Sequence, residues 1–261
     1  MNYIANYHTH TYRCGHAHGE DRRYVEEAIR AGIKILGFSD HTPMPFAGNY
    51  RSGHRVQMDK AEDYFTSITD LKKEYAADIS IHAGVETEFY PDTFDEYWDY
   101  IKQFPLEYMI LGQHYIGREE DFVYSGSRSS SEEKLIKFTD NVIDAIRTGK
   151  FLYIAHPDII NFSGDEEIYR REMTRLCRAA KELGIPVEIN RLGYFEKRIY
   201  PSDRFFQIAA EVGCDAIIGS DAHAPEVFAD DASIRGCAAL AEKHGLNLLP
   251  SLILPKEFTK S

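Results

Sequence analysis

Imidazole and carboxylate side chains recur in five short strings of this chain: His8-Thr9-His10, Ser39-Asp40-His41, Gly84-Val85-Glu86, Gly112-Gln113-His114 and Ser220-Asp221-Ala222-His223. Both groups bind borderline divalent cations, imidazole through a ring nitrogen and carboxylate through oxygen. In an extended segment alternate side chains point the same way, so His8 and His10 can face a single ion. An H-x-H pair alone is a weak signal, because two histidines in a strand also occur on surfaces and in cores. Five such strings, nearly all closing a strand-like run, read together as one multinuclear metal site. Ions held in this way lower the pKa of water and offset the charge of anionic oxygens.

The elements that must position these residues are legible from period. Short apolar, β-branched or aromatic runs occur at residues 3–7, 33–38, 79–85, 108–112, 151–155, 186–189 and 216–219, each of strand length. Helical patterns lie between them. One carries Val25, Ala28 and Ile29 and ends at Gly32; another opens on Ser130 with Glu133 as a capping box, continues through Leu135, Ile136, Val142, Ile143 and Ile146, and stops before Gly149. Further helices are expected over 59–75, 93–104, 165–183, 202–212 and 231–244. Strands this apolar, separated by helices, predict a parallel sheet covered on its outside. The polar residues fall at the strand ends: His8 and His10, Asp40 and His41, Glu86, His114, His156, Glu188 with Asn190, and Asp221 with His223. In a parallel barrel the carboxyl ends of all strands meet at one face, where active sites are built. Seven strands favour a shortened or distorted α/β barrel over a complete eightfold one. No linker, repeat or change of composition divides the chain, so one domain over 1–261 is expected. The Ser/Gly/Arg-rich stretch 124–131 is expected as a loop on the functional face.

Composition narrows the partners. With 261 residues the chain can bury a sizeable core, and its 43% hydrophobic content contains no apolar run of about 18 residues, so no membrane partner is expected. The first residues lead into a strand-like segment without a basic region or an apolar leader, which predicts a cytoplasmic location. Cys14, Cys177, Cys214 and Cys237 show no C-x-x-C spacing and fit reduced thiols. A net charge of −12 disfavours binding to nucleic acid, whose phosphates demand a basic surface. Divalent cations would reverse that sign locally and draw in a small phosphorylated substrate. The sequence carries no signal for an oligomeric state.

The ordered set of His8-Thr9-His10, Cys14-Gly15-His16-Ala17, Phe38-Ser39-Asp40-His41, Gly84-Val85-Glu86, Gly112-Gln113-His114 and Ser220-Asp221-Ala222-His223 resembles the polymerase and histidinol phosphatase (PHP) family, in particular its monofunctional histidinol-phosphate phosphatases. The resemblance runs from residue 8 to about 225. It implies a distorted seven-stranded (β/α) barrel with three divalent transition-metal ions, zinc, iron or manganese, at the carboxyl ends of the strands. Carried over by position, it implies that His8, His10, Glu86 and Asp221 hold one ion. Glu86 would bridge to a second, held also by His114 and His156, and His16, His41 and His223 would hold the third. His16 is preferred to His18 because its spacing from the H-x-H pair follows the family pattern.

The implied activity is hydrolysis of L-histidinol phosphate to L-histidinol and phosphate, a step of histidine biosynthesis. In-line attack by a metal-bound hydroxide is expected, with Asp221, His223 and His156 nearest the reacting atoms. Arg191, directly after the sixth strand, can offer phosphate a planar fork of donors, and Lys197 and Arg198 in the same loop are weaker candidates. Glu88, Phe89, Tyr90, Tyr115 and Asp158 follow ligand-bearing strand ends and are candidates for the substrate wall. His82 is expected in the core, and His54 and His244 on the surface. Competing readings are another small phosphate ester or nucleic acid ends as substrate, a metal-dependent amidohydrolase, and a non-catalytic metal-binding subunit. The amidohydrolase reading lacks a lysine at a strand end to bridge its metals.

Overall fold

A computed structural model describes residues 3–46, 48, 50–121, 123–255 and 258. The expected domain limits, residues 1 and 261, lie outside the described residues. Seven strands and eight helices are assigned among those residues: β1 Ala5–Asn6, α1 Asp21–Arg30, β2 Ile35–Phe38, α2 Ala61–Glu74, β3 Ser80–Thr87, α3 Phe94–Ile101, β4 Tyr108–Leu111, α4 Glu132–Arg147, α5 Glu166–Leu183, β5 Val187–Asn190, α6 Arg191–Glu196, α7 Asp203–Val212, β6 Asp215–Gly219, α8 Asp231–His244 and β7 Asn247–Leu248. Every strand pairing is parallel, in two sheets ordered β1-β2-β3-β4 and β5-β6-β7.

Single bridges join the two sheets into a distorted barrel. On one side Ile154 bridges both Leu111 and Val187; on the other, Thr9 bridges Ala222. The expected fifth strand, residues 151–155, is thus a bridge and not a full strand. It nevertheless bonds to both neighbours, through Leu152 N to Met109 O at 2.8 Å and Glu188 N to Ile154 O at 2.9 Å. The seventh assigned strand is the short β7 on the outer edge of β6, which the apolar runs did not predict because Asn247 and Leu248 are too few to show a period.

Side chains alternate across the sheet as the pleat requires. Tyr108, Ile110, Tyr153, Ala155 and Ile217 point inward with Ala5 and Tyr7 to form a small inner core, whereas Leu36, Phe38, Met109, Leu111, Ile154 and Ile218 join the larger core beneath the helices. The Tyr108 hydroxyl lies 2.9 Å from the carbonyls of Tyr7 and Phe38, so the interior is filled under the polar face. Helix ends follow local chemistry: Asp165 caps α5 by accepting from the amides of Glu167 and Ile168, and Gly184 closes it in a left-handed conformation. The cap of α4 is Ser131 and not Ser130, its side chain accepting from Lys134 N. His82, expected in the core, is instead half-buried near the start of β3, 3.0 Å from Glu107. No helix among the described residues is long and apolar enough to cross a membrane.

Candidate metal centre

Glu86 stands at the middle of the carboxyl face. Its Oε2 lies 3.5 Å from Nε2 of both His8 and His10 and 3.1 Å from Nδ1 of His41. Its Oε1 lies 2.8 Å from His156 Nε2 and 3.6 Å from His114 Nε2. Asp221 Oδ1 is 3.4 Å from His8 Nε2, 3.0 Å from His10 Nε2 and 3.4 Å from His223 Nδ1. His16 completes the group, its Nε2 standing 3.0 Å from that of His223. Five strand ends, the bridged segment 151–155 and the turn after β1 therefore converge on one locus. Gly112 is required here because a β-carbon at that position would overlap the Glu86 carboxylate. His156 and Asp221 both adopt positive φ, 28° and 49°, a backbone state disfavoured for such residues and typical of functional sites.

The donor set fits divalent ions. The buried atoms His8 Nε2, His10 Nε2, Glu86 Oε2 and His156 Nδ1 have no hydrogen-bond partner, which a folded protein tolerates poorly unless something else binds them. Among the described residues five overlapping sets each bring ligand atoms within 4.8 Å of one another: His8, His10 and Asp221; His8, Glu86 and His156; His10, His41 and Glu86; His16, His41 and His223; and His10, Cys14 and His223. Shared members make the centre continuous.

Electrostatics point the same way. Burial raises Glu86 and Asp221, yet surrounding imidazoles, led by His114 for Glu86 and His8 for Asp221, hold both below the usual carboxylate range. Burial lowers His8, but Glu188, Asp221 and Glu86 push it up to about 10, so the centre draws positive charge. Burial and neighbouring His10 push His223 down to about 3 and also lower His41, leaving neutral rings with lone pairs to donate.

Carboxylates behind the cluster orient its imidazoles. His8 Nδ1 donates to Glu188 at 2.8 Å, His10 Nδ1 to Asp40 at 3.3 Å, and His114 Nδ1 to Glu88 at 2.8 Å. An ionised carboxylate only accepts, so each pairing places the proton on Nδ1 and turns Nε2 toward the centre. Asp40 and Glu188 stood out in the sequence as polar strand ends, but their spacing did not distinguish a ligand from a support.

A cavity of about 550 Å³ opens over the cluster, lined by His16, His41, His114, Asp221 and His223 on its floor and by residues including Tyr115, Tyr124, Glu196, Arg198 and Tyr200 above. Two residues expected to bind phosphate lie elsewhere. Arg191 is not in an open loop: it begins the short helix α6, is buried, ion-pairs with Asp230 at 2.6 Å and packs over Phe195. Lys197 is exposed and is not among the lining residues. Arg198, the weaker candidate, does line the cavity, its Nη1 donating to the Tyr200 hydroxyl at 2.8 Å. The difference arises because α6 carries the chain inward before releasing it, which no period in six residues reveals. His54, expected as a plain surface residue, is exposed but lines the cavity, its ring centroid 5.6 Å from that of His16. His18 lies outside every group of candidate ligands found among the described residues. Phe89 and Tyr90 are buried, and Asp158 accepts from Ser202 N at 2.6 Å; none of the three lines the cavity.

A parallel α/β barrel with a histidine and carboxylate cluster at its carboxyl face defines a class of metal-dependent hydrolases. The chain belongs to the PHP domain family, whose model matches residues 6–192. It is 28% identical over 231 residues to a probable histidinol-phosphatase of Deinococcus radiodurans, covering 86% of this chain and 88% of that protein. It is 24% identical over 248 residues to the histidinol-phosphatase of Bacillus subtilis, covering 83% of this chain and 92% of the relative. Its fold matches the crystal structure of histidinol phosphate phosphatase from Lactococcus lactis complexed with zinc, L-histidinol and phosphate, with a TM-score of 0.72 and 19% identity, over 96% of this chain and 99% of that one.

Proposed function

We propose that the chain is a metal-dependent phosphomonoesterase that hydrolyses L-histidinol phosphate to L-histidinol and phosphate. The observation that carries this reading is the cluster of Glu86, Asp221 and seven imidazoles, of which Asp221, His16, His41, His114 and His223 line the cavity together with an arginine, Arg198. The names of the relatives from Deinococcus radiodurans and Bacillus subtilis support the substrate.

By the family grouping three ions would lie at His8, His10, Glu86 and Asp221, at Glu86, His114 and His156, whose Nε2 atoms are 3.6 and 2.8 Å from Glu86 Oε1, and at His16, His41 and His223. Bound there, divalent ions supply an activated water and neutralise the non-bridging oxygens of a phosphate dianion. The residues of the chain do the rest. Glu86 holds the imidazoles around one point, and Asp221 fixes His10 and His223 at the edge of the cavity. Arg198 offers donors to the phosphate group, and Tyr200 steadies it. The leaving alkoxide needs a proton, which His223, an imidazole lining the cavity, is placed to hold or pass, with His156 buried behind the lining as the second candidate. Glu196 and the ring of Tyr115 line the same cavity and suit a substrate that carries an ammonium and an imidazole.

The test couples metal analysis to phosphate release. Near three transition-metal ions per chain, with efficient release from L-histidinol phosphate and little from generic monoesters or single-stranded DNA, is the expected result. Equal rates on all monoesters would overturn the substrate, and a fully loaded protein inert on the whole panel would overturn the activity.

A further inference from the structure

Arg55 lies in the long connection between β2 and α2, where no strand end or helical period draws attention to it. It is only 3% exposed, and its neighbours explain that burial. Its Nη2 is 2.6 Å from Glu88 Oε2, and its Nε donates to Glu119, itself 3.0 Å from the Tyr50 hydroxyl. The other oxygen of Glu88 accepts from His114 Nδ1 at 2.8 Å. Glu88 follows Glu86 by two residues on the same face of the extended chain, and both carboxylates reach the cluster. Next to Arg55, Val56 N donates to the carbonyl of His41 at 3.1 Å, so the same segment is also tied to a second candidate ligand.

We propose that Arg55 is a positioning residue of the metal centre. It anchors the Glu88 carboxylate, and through it the His114 ring, so that Nε2 of His114 stays turned toward Glu86. The physical reason is directional. A lone buried carboxylate can rotate and release the imidazole; a guanidinium ion-paired to its far oxygen at 2.6 Å holds that oxygen in place while the other oxygen keeps the ring. Glu119 and Tyr50 hold the guanidinium from the opposite side, which makes the β2–α2 connection part of the scaffold of the site. Partners of ligating imidazoles behave in this way generally, and their loss weakens metal binding about 10- to 100-fold.

This inference rests on the metal-centre reading above, and its test uses metal retention instead of turnover. The loaded protein is exposed to a competing chelator, and the ions remaining per chain are followed with time. Arg55→Met should lose one ion about 10- to 100-fold faster than the parent while the others stay, and Arg55→Lys, which keeps the charge with a single donor head, should recover part of the retention. Because Arg55→Met strands two buried carboxylates, the double variant Arg55→Met, Glu119→Gln is measured beside it. That protein should unfold at a temperature above that of Arg55→Met, though below the parent because Glu88 remains without its cation, and still lose the ion early. Parent-like retention in the folded double variant would overturn the role of Arg55 and leave the phosphatase reading standing, whereas a parent chain that takes up no metal would overturn that reading itself.

Discussion

Glu188 Oε1 lies 2.8 Å from His8 Nδ1, across 180 residues of chain. The contact links β5 to the end of β1, two segments that are not paired with each other in the sheets. The same carboxylate accepts from His156 N at 2.9 Å and from Asn190 Nδ2 at 2.8 Å, so it steadies two candidate ligands at once. Gly219 makes room for it, since a β-carbon there would collide with Glu188 Oε1.

Glu188→Gln should therefore weaken the metal centre without emptying it. An amide keeps the volume but presents either an oxygen or a donor to His8, so the ring is held less firmly. A 10- to 100-fold loss of metal affinity is expected by competition with a chelator, with activity restored at high metal concentration.

Glu86 is placed to serve more than one ion, and its replacement should be more severe. Glu86→Gln, and equally His10→Ala, should abolish turnover at any metal concentration and lower the ions bound per chain. Removing the metals from the parent protein with a chelator should lower its melting temperature, because the ions bind only the folded state and leave buried carboxylates behind; zinc or manganese should restore it. An unchanged melting temperature on metal removal would contradict a loaded centre.

Arg198 and Arg191 should separate cleanly. Arg198→Ala removes a charged donor from the cavity wall, expected to cost about 1.5–3 kcal/mol of substrate interaction, or about 10- to 100-fold in kcat/KM. Arg191→Ala breaks a buried pair with Asp230, which retains its contact with Ser233. The expected loss is about 2–3 kcal/mol of stability, at the low end for buried ion pairs because Asp230 is partly exposed. Denaturant unfolding and steady-state kinetics on both variants read the two effects independently.

One pH effect lies far from the centre. Burial pushes the Glu107 carboxyl up, but contacts from His82 and Lys72 overcome this and bring it from 4.5 down to about 2. A group held lower in the folded state stabilises the fold above its unfolded pKa and loses that contribution as pH falls through the folded value. The stability difference between the parent and Glu107→Gln should thus be full above about pH 4.5 and shrink toward pH 2, as thermal unfolding at a series of pH values would show. A difference that grows on acidification would contradict the assignment.

The sequence by itself determined the class of fold and the histidine and carboxylate residues that gather at the carboxyl face. Apolar runs of strand length fixed the barrel segments, because burial on both faces leaves no other pattern, and the residues that end those runs had to share one face once the strands ran parallel. Even residues 151–155, which the structure joins by bridges alone, were visible in this way. What only the tertiary structure decided were the contacts between residues distant in the chain. Whether Glu188 binds an ion or holds His8, whether Arg191 or Arg198 faces the cavity, and how Arg55 reaches Glu88 depend on a six-residue helix and on long connections. Such segments have no period to read. Their side chains take their places only after the barrel has closed and packing has chosen among conformations that are locally equivalent.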